Sequence, residues 1–298
     1  MDKRLFAILA VFTVQVLYGL NFTFAKVLMN DHSVPPFALV ILRVVGATIL
    51  FWAVSVFLPQ EKIEKKDFLK FFVAAIFGVV INMLLFLKGL ELTTPINASV
   101  IITTTPIIIL ILSSFFLNEK ITKLKIVGVL LGFSGGILLT LLGTSDRVGD
   151  NLPLGNLLIF INVIAYSIYI ILIKKLTNKY HPFTFIKWLF LFGSIMVIPF
   201  GYSDLISIEW TDFTSDAWFA VVFVVVGATF GTYLLNPLAL RQLKASTIGI
   251  FIYLQPVIAG IFAIIMGADT IEFVKIAAML LIFAGVFLVS KRPKANLN

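Results

Sequence analysis

The stretch TTTPIIILILSSFFLNEKIT, Thr103–Thr122, is apolar for most of its length, carries a proline inside that run and stops on Asn-Glu-Lys. A similar stretch, YLQPVIAGIFAIIMGADTIE, returns at Tyr253–Glu272. Neither fits a soluble protein. The whole chain agrees: 298 residues, 60% hydrophobic and only 13% charged, with a mean hydropathy of +1.08, where soluble domains are about a quarter charged. The net charge of +8 is therefore read loop by loop as an orientation signal, not as a nucleic-acid footprint. With no cysteine, disulfides, thiolate metal sites and a cysteine nucleophile are excluded.

A hydrocarbon core of roughly 30 Å needs about 20 apolar residues of helix. That ruler predicts ten spans, near 5–28, 36–58, 68–89, 95–117, 124–142, 154–175, 183–201, 216–239, 245–266 and 272–290. The first is read as an uncleaved helix, since no small-x-small cleavage site follows its apolar run. Ten spans put both termini on one side. Basic residues crowd that side, at Lys3, Arg4, Lys62, Lys65, Lys66 and Lys70 and again in 120–125, 174–179, 241–244 and 291–294. The positive-inside rule then makes the termini cytoplasmic in the cell (inner) membrane. The acidic loop YSDLISIEWTDFTSD lies outside, with Trp210 and Trp218 as interfacial anchors.

Shifting the chain against itself by 150 residues lays Pro106 on Pro256, Glu119 on Asp269, Ile121 on Ile271 and Gly135 on Gly285. The sequence thus reads as two copies of one unit, 1–145 and 152–292, followed by a tail, 293–298. Five spans per copy is an odd number, so the second copy enters the bilayer upside down, as in many secondary transporters. The expected fold class is an all-α membrane protein of ten transmembrane helices in two inverted five-helix repeats.

Four segments carry a family resemblance: YGLNFTFAK at 18–26, FALVILRVVGA at 37–47, the run 103–139 and the run 253–289. They resemble the EamA-like family of the drug/metabolite transporter superfamily, whose repeat has a mid-helix proline, a Gly-Glu after the fourth helix and a glycine-rich fifth helix. This chain departs in having Asn118 before Glu119, Ala268 before Asp269, and Tyr18 where an aromatic, often Trp, is expected. The resemblance implies a ten-helix carrier whose central cavity opens alternately to each side. It implies no particular substrate, because members carry amino acids, other metabolites and drugs.

Polar side chains inside spans cost free energy and tend to face a bundle interior or a wet path. Asn82 and Phe86 share a face of the third span with Gly89, and the offset matches that face to Thr232, Asn236 and Ala239. Ser99, Thr103 and Pro106 match Gly249, Tyr253 and Pro256. Asn162, Tyr166 and Tyr169 recur at helical spacing, as do Gln15, Tyr18 and Asn21. These residues either line a substrate cavity or bond helix to helix. Pro106 and Pro256 are hinges or static kinks. Arg43 lies roughly 10 Å deep; it either meets a substrate carboxylate or bonds carbonyls of a neighbouring helix. Lys26, Lys88 and Lys187 are close enough to span ends to snorkel.

Enzyme readings fare poorly. His32 and His181 fall in loops on opposite sides, and GFSGGILL lacks the Gly-Lys-Ser/Thr of a phosphate loop. No metal or cofactor is expected. Every Asp and Glu falls in a loop or at a span end, which argues against obligatory proton coupling. The expectation is a secondary transporter, in the lipid bilayer, exporting or exchanging a small amino-acid-like or amphipathic metabolite. The alternative is a non-transporting scaffold or a lipid-modifying protein.

Overall fold

The computed structural model describes residues 2–31, 34–58, 60–93, 98, 101–141, 151–265 and 273–290, and these hold helices and no strand. We number the helices α1 (Lys3–Lys26), α2 (Pro36–Ser55), α3 (Asp67–Leu92), α4 (Thr105–Leu117), α5 (Lys123–Leu141), α6 (Leu152–Thr177), α7 (Pro182–Ile206), α8 (Ser215–Leu240), α9 (Ala245–Phe251), α10 (Leu254–Ile265) and α11 (Phe273–Ser290). Among the described residues six helices are long and apolar enough to cross a membrane, in α1, α2, α3, α6, α7 and α8. Shorter apolar helices run over Thr105–Leu117, Ala245–Ile258 and Ile276–Ser290. Asp269, Glu272 and the 293–298 tail lie outside the described residues.

Local chemistry sets the ends. Prolines at the first turns of α2, α6 and α7 fix φ where the N–H has no partner in any case. Asn151 and Thr214 cap α6 and α8 by accepting from Leu154 N (3.2 Å) and Ala217 N (3.3 Å). Asn118 ends α4 with φ 51°, and is the one non-glycine residue among those described with positive φ. Asparagine tolerates this left-handed cap better than other non-glycine residues, which explains its place where the resemblance expects glycine.

Two features escape the hydropathy ruler. The expected mid-helix prolines instead open new helices, because the chain turns just before each, at 103–104 and 252–253. Pro106 cannot donate to the Ile102 carbonyl, and Thr105 Oγ1 donates to it instead at 2.6 Å. At the second break the Gln255 N–H takes the Ile252 carbonyl at 3.0 Å. The other feature is a wide, π-helical stretch in each half, Ile76–Ile81 in α3 and Phe223–Gly231 in α8. Their last residues, Ile81 and Gly231, coincide on the 150-residue offset.

Packing repeats the same exchange. α2 packs on α7, α3 on α6 as α8 on α1, α4 on α6 as α10 on α1, and α5 on α11. Where α5 meets α11 the backbones nearly touch: a Cβ on Gly135 would lie 2.7 Å from the Ala278 carbonyl oxygen, and one on Gly285 would lie 2.5 Å from that of Gly128. On the offset these are one contact read in both directions, as an isologous pairing about a two-fold axis requires. Without a water-driven hydrophobic effect between helices in lipid, such close approach of small residues is what lets dispersion hold them.

One end of the bundle is stapled by polar loops. Asp67, fully buried, accepts from Tyr180 Oη (2.7 Å) and Lys70 (2.6 Å) and pairs with Lys179. Glu61 accepts from His181 N (2.9 Å) and Thr184 Oγ1 (2.5 Å). The Lys179 hydrogen bond holds the Glu64 carboxyl below its usual range, so that contribution is present at neutral pH and fades as acid protonates Glu64.

Candidate functional site

Between the two halves lies a cavity of about 120 Å³. α1 brings Tyr18 and Asn21, α2 brings Arg43, α3 brings Asn82, Met83 and Phe86, α6 brings Asn162, Val163 and Tyr166, and α8 brings Tyr233. The two broken helices complete it with Ile102 and Thr105 from one half and Ile252 and Gln255 from the other. The last four form two pairs at the 150-residue offset, and Met83 with Tyr233 forms a third. The internal two-fold therefore passes close to the cavity.

The breaks explain why backbone-adjacent residues reach this space. Thr105 and Gln255 each stand immediately before a proline, at the first turn of the continuing helix. The wide turns act in the same way. A π stretch leaves carbonyls without an ordinary partner, and such stretches gather at functional sites. Tyr233 Oη donates to the Gly78 carbonyl in the α3 wide turn at 2.5 Å. In the α8 turn Thr229 Oγ1 donates to the Val224 carbonyl at 2.8 Å.

Seven of the sequence-derived candidates line the cavity: Tyr18, Asn21, Arg43, Asn82, Phe86, Asn162 and Tyr166. The rest of the described ones lie behind the wall. Gln15, 1% exposed, accepts from Gln255 Nε2 at 2.8 Å and steadies it. Asn236 Nδ2 meets Tyr166 Oη at 3.4 Å. Thr232 donates its hydroxyl back to the Ala228 carbonyl of its own helix at 2.8 Å, while its neighbour Tyr233 lines the cavity. Tyr169 and Tyr253 are buried on glycines, where a Cβ on Gly78 or Gly132 would come within 2.2 or 2.3 Å of the respective ring. Thr103 is buried beside Gly136. Ser99 lies outside the described residues. Sequence reading passed over Tyr233, Gln255 and Thr105, although the offset that paired the prolines also pairs the residues before them.

Polar order in the wall is high. Asn162 Nδ2 donates to the Asn82 carbonyl at 2.6 Å, joining α6 to α3. Arg43 Nε donates to Thr229 Oγ1 at 3.0 Å, joining α2 to α8. Among the described lining residues Arg43 is the one with a full charge. Glu91 pairs with Lys88 at 2.7 Å on the surface, and Lys187 is buried, with Nζ on Gln60 Oε1 at 2.8 Å. The Lys26 side chain lies outside the described ones.

Glu119 has a different task. It is 8% exposed and reaches from the turn after α4 to the start of α9. Its Oε1 accepts from Ala245 N at 2.8 Å, and Oε2 accepts from Ser246 Oγ at 2.5 Å and Lys125 Nζ at 3.1 Å. Nearby, Lys174 Nζ donates to the Leu240 and Leu243 carbonyls, the latter at 3.1 Å. Together they tie the turn after α4 and the end of α6 to the connection between α8 and α9. No group of three or more His, Cys, Asp or Glu that could hold a metal occurs among the described residues.

Comparison with known proteins agrees with this architecture. The family model described as "EamA-like transporter family" matches twice, at residues 5–141 and 153–291. An "Uncharacterized transporter" of Archaeoglobus fulgidus is 32% identical over 92% of this chain and 95% of its own length. "Uncharacterized transporter YetK" of Bacillus subtilis is 28% identical over 78% of this chain and 72% of its own. A solved crystal structure superposes with TM-score 0.78 over 95% of each chain at 17% identity, a likeness of fold.

Proposed function

The chain belongs to the EamA-like transporter family, and on that premise we propose that this multi-pass membrane protein is a secondary transporter of a small metabolite. It works by alternating access, by export or exchange across the cell membrane, with both termini cytoplasmic and ten spans in two inverted repeats. The observation that carries this reading is the cavity itself, whose wall takes paired residues from both halves, Ile102 with Ile252 and Thr105 with Gln255. An inverted-repeat carrier places its substrate at such a repeat interface, near broken helices. Pro106 and Pro256 are the hinges, because each stands beside a turn already free of the regular helical ladder.

The test begins with purified protein screened by thermal shift against a metabolite library. Each stabilising compound then goes into counterflow with proteoliposomes: vesicles loaded with the compound should accumulate its labelled form faster than protein-free vesicles. Asn82→Ala, which strips a polar group from the cavity wall, should lower this exchange about tenfold, the cost of a lost hydrogen bond to a charged or polar ligand. Its expression and elution profile should stay near wild type, because the Asn82 carbonyl that holds Asn162 is retained. Compounds that bind without exchange would sink the transport reading.

The described lining residues include no carboxylate, which supports transport without obligatory proton coupling. With substrate equal on both sides, voltage clamped and a pH gradient imposed, no net accumulation above protein-free vesicles is expected. Sustained uphill uptake that Glu91→Gln abolishes would overturn this and identify a proton site.

A further inference from the structure

Arg43 poses a charge problem that the protein leaves unsolved. It is only 6% exposed, and a guanidinium keeps its proton in any protein setting. Thr229 Oγ1, whose own hydrogen goes to the Val224 carbonyl, accepts from Nε at 3.0 Å. The side chain is thereby oriented through its inner nitrogen alone. Among the described residues the two Nη atoms find no hydrogen-bond partner, and the residue borders the cavity. No Asp or Glu is present among the described lining residues to balance it. A buried charge without a counter-ion is strongly unfavourable, and a structural arginine of this depth would instead spend its outer donors on carbonyls.

We infer that the missing counter-ion is the substrate: a carboxylate held by both Nη atoms of Arg43, on a molecule whose remainder is uncharged. The guanidinium fork offers two parallel N–H donors at the spacing of a carboxylate's two oxygens. One fixed positive charge balances one carboxylate, whereas a phosphate monoester would leave charge over. A cationic substituent would find no acidic group on the described wall. Phe86, Ile102, Val163 and Ile252 offer apolar surface to the body, and the amides of Asn21 and Gln255 offer neutral hydrogen bonds. Asn21 Oδ1 is itself buried without a partner. Thr229, which touches Arg43 and not the ligand, is a positioning residue.

This inference rests on the transport reading for its word substrate, and the experiment separates the two. Acetate, butanoate and phenylacetate are each tested beside the matching amide and amine by thermal unfolding of the purified full chain. At least one carboxylate should raise the wild-type unfolding temperature, while its amide and amine do not. In Arg43→Gln that shift should vanish, and the ligand-free unfolding temperature should equal or exceed wild type, because an uncompensated charge has been removed. Arg43→Lys keeps the charge but loses the fork, and should weaken carboxylate binding about tenfold. Thr229→Val should weaken it too, without shifting preference toward amides. The inference is overturned if no carboxylate stabilises the wild type, if amides or amines do so equally, if the shift survives in Arg43→Gln, or if ligand-free Arg43→Gln is clearly less stable than wild type. Carboxylate binding without counterflow would remove the transport reading and leave the ligand class standing; counterflow of neutral or cationic compounds, unaffected by Arg43→Gln, would do the reverse.

Discussion

Gly285→Val should leave almost no folded protein in the membrane extract. A Cβ at this position would lie 2.5 Å from the Gly128 carbonyl oxygen and 2.9 Å from Gly132 N. Both neighbours are backbone of α5, so no side-chain rotation relieves the clash. The helices must separate, and the reciprocal contact of Gly135 with Ala278, at 2.7 Å for a Cβ, is lost with them. Overpacking a well-fitted core usually costs about 1–3 kcal/mol, and a branched side chain forced between two backbones belongs at or beyond the upper end. That local cost alone would not exhaust a total stability on the order of 5–15 kcal/mol; the expected loss of folded protein comes from adding to it the packing between α5 and α11, which is forfeited when the two backbones are driven apart. Size-exclusion profiles of the detergent extract measure it directly. Gly227→Ala is the control, since its Cβ would meet the tip of Leu17 at 3.2 Å and the Phe223 ring at an ordinary 3.7 Å, with no backbone among its nearest neighbours, and it should elute as wild type. A normal monodisperse peak for Gly285→Val would show that α5 and α11 are not held as described.

Glu119→Ala is expected to lower the unfolding temperature by about 10 °C. Three donors converge on this carboxylate from Ala245, Ser246 and Lys125, and the ion pair with Lys125 is buried on both sides, at 9% and 7% side-chain exposure. Removing one member of such a pair leaves the other charge without compensation, at a cost of about 3–5 kcal/mol. For a chain of this size 1 kcal/mol corresponds to roughly 2–4 °C. The double variant with Lys125→Met removes both charges and should recover a large part of the loss. If the double variant is as unstable as the single one, the Ala245 and Ser246 hydrogen bonds, not the ion pair, carry the stabilisation.

Much of the scaffold was legible because hydropathy measures what lipid requires. The expected 216–239 became Ser215–Leu240 and 36–58 became Pro36–Ser55, each within a few residues. The 150-residue offset also led to a real contact, Gly135 and Gly285 facing Ala278 and Gly128. What stayed illegible was phase and partnership. A hydropathy window is blind to whether a turn holds 3.6 residues or more, so the wide turns of α3 and α8 left no trace. Polar residues in a span face inward, but the pattern does not say whether they meet open space or another side chain. Gln15 was singled out and proved to support Gln255, while Gln255 itself was passed over. Glu119 was read as a loop charge; its burial depends on the start of α9, 126 residues away, which no local pattern encodes.

The wide turns also bear on how such a wall can change over evolutionary time. Each residue of a regular helix advances the azimuth by about 100°. Loss of one residue within Ile76–Ile81 would let the wide turn tighten to a regular one, and the greater rotation per residue would make up the lost step, so Asn82, Met83 and Phe86 would keep nearly the same azimuth. The same deletion in a regular part of α3 would instead turn every residue beyond it by about 100°. The two wide turns are thus places where the chain can lose a residue while the wall beyond them stays in register.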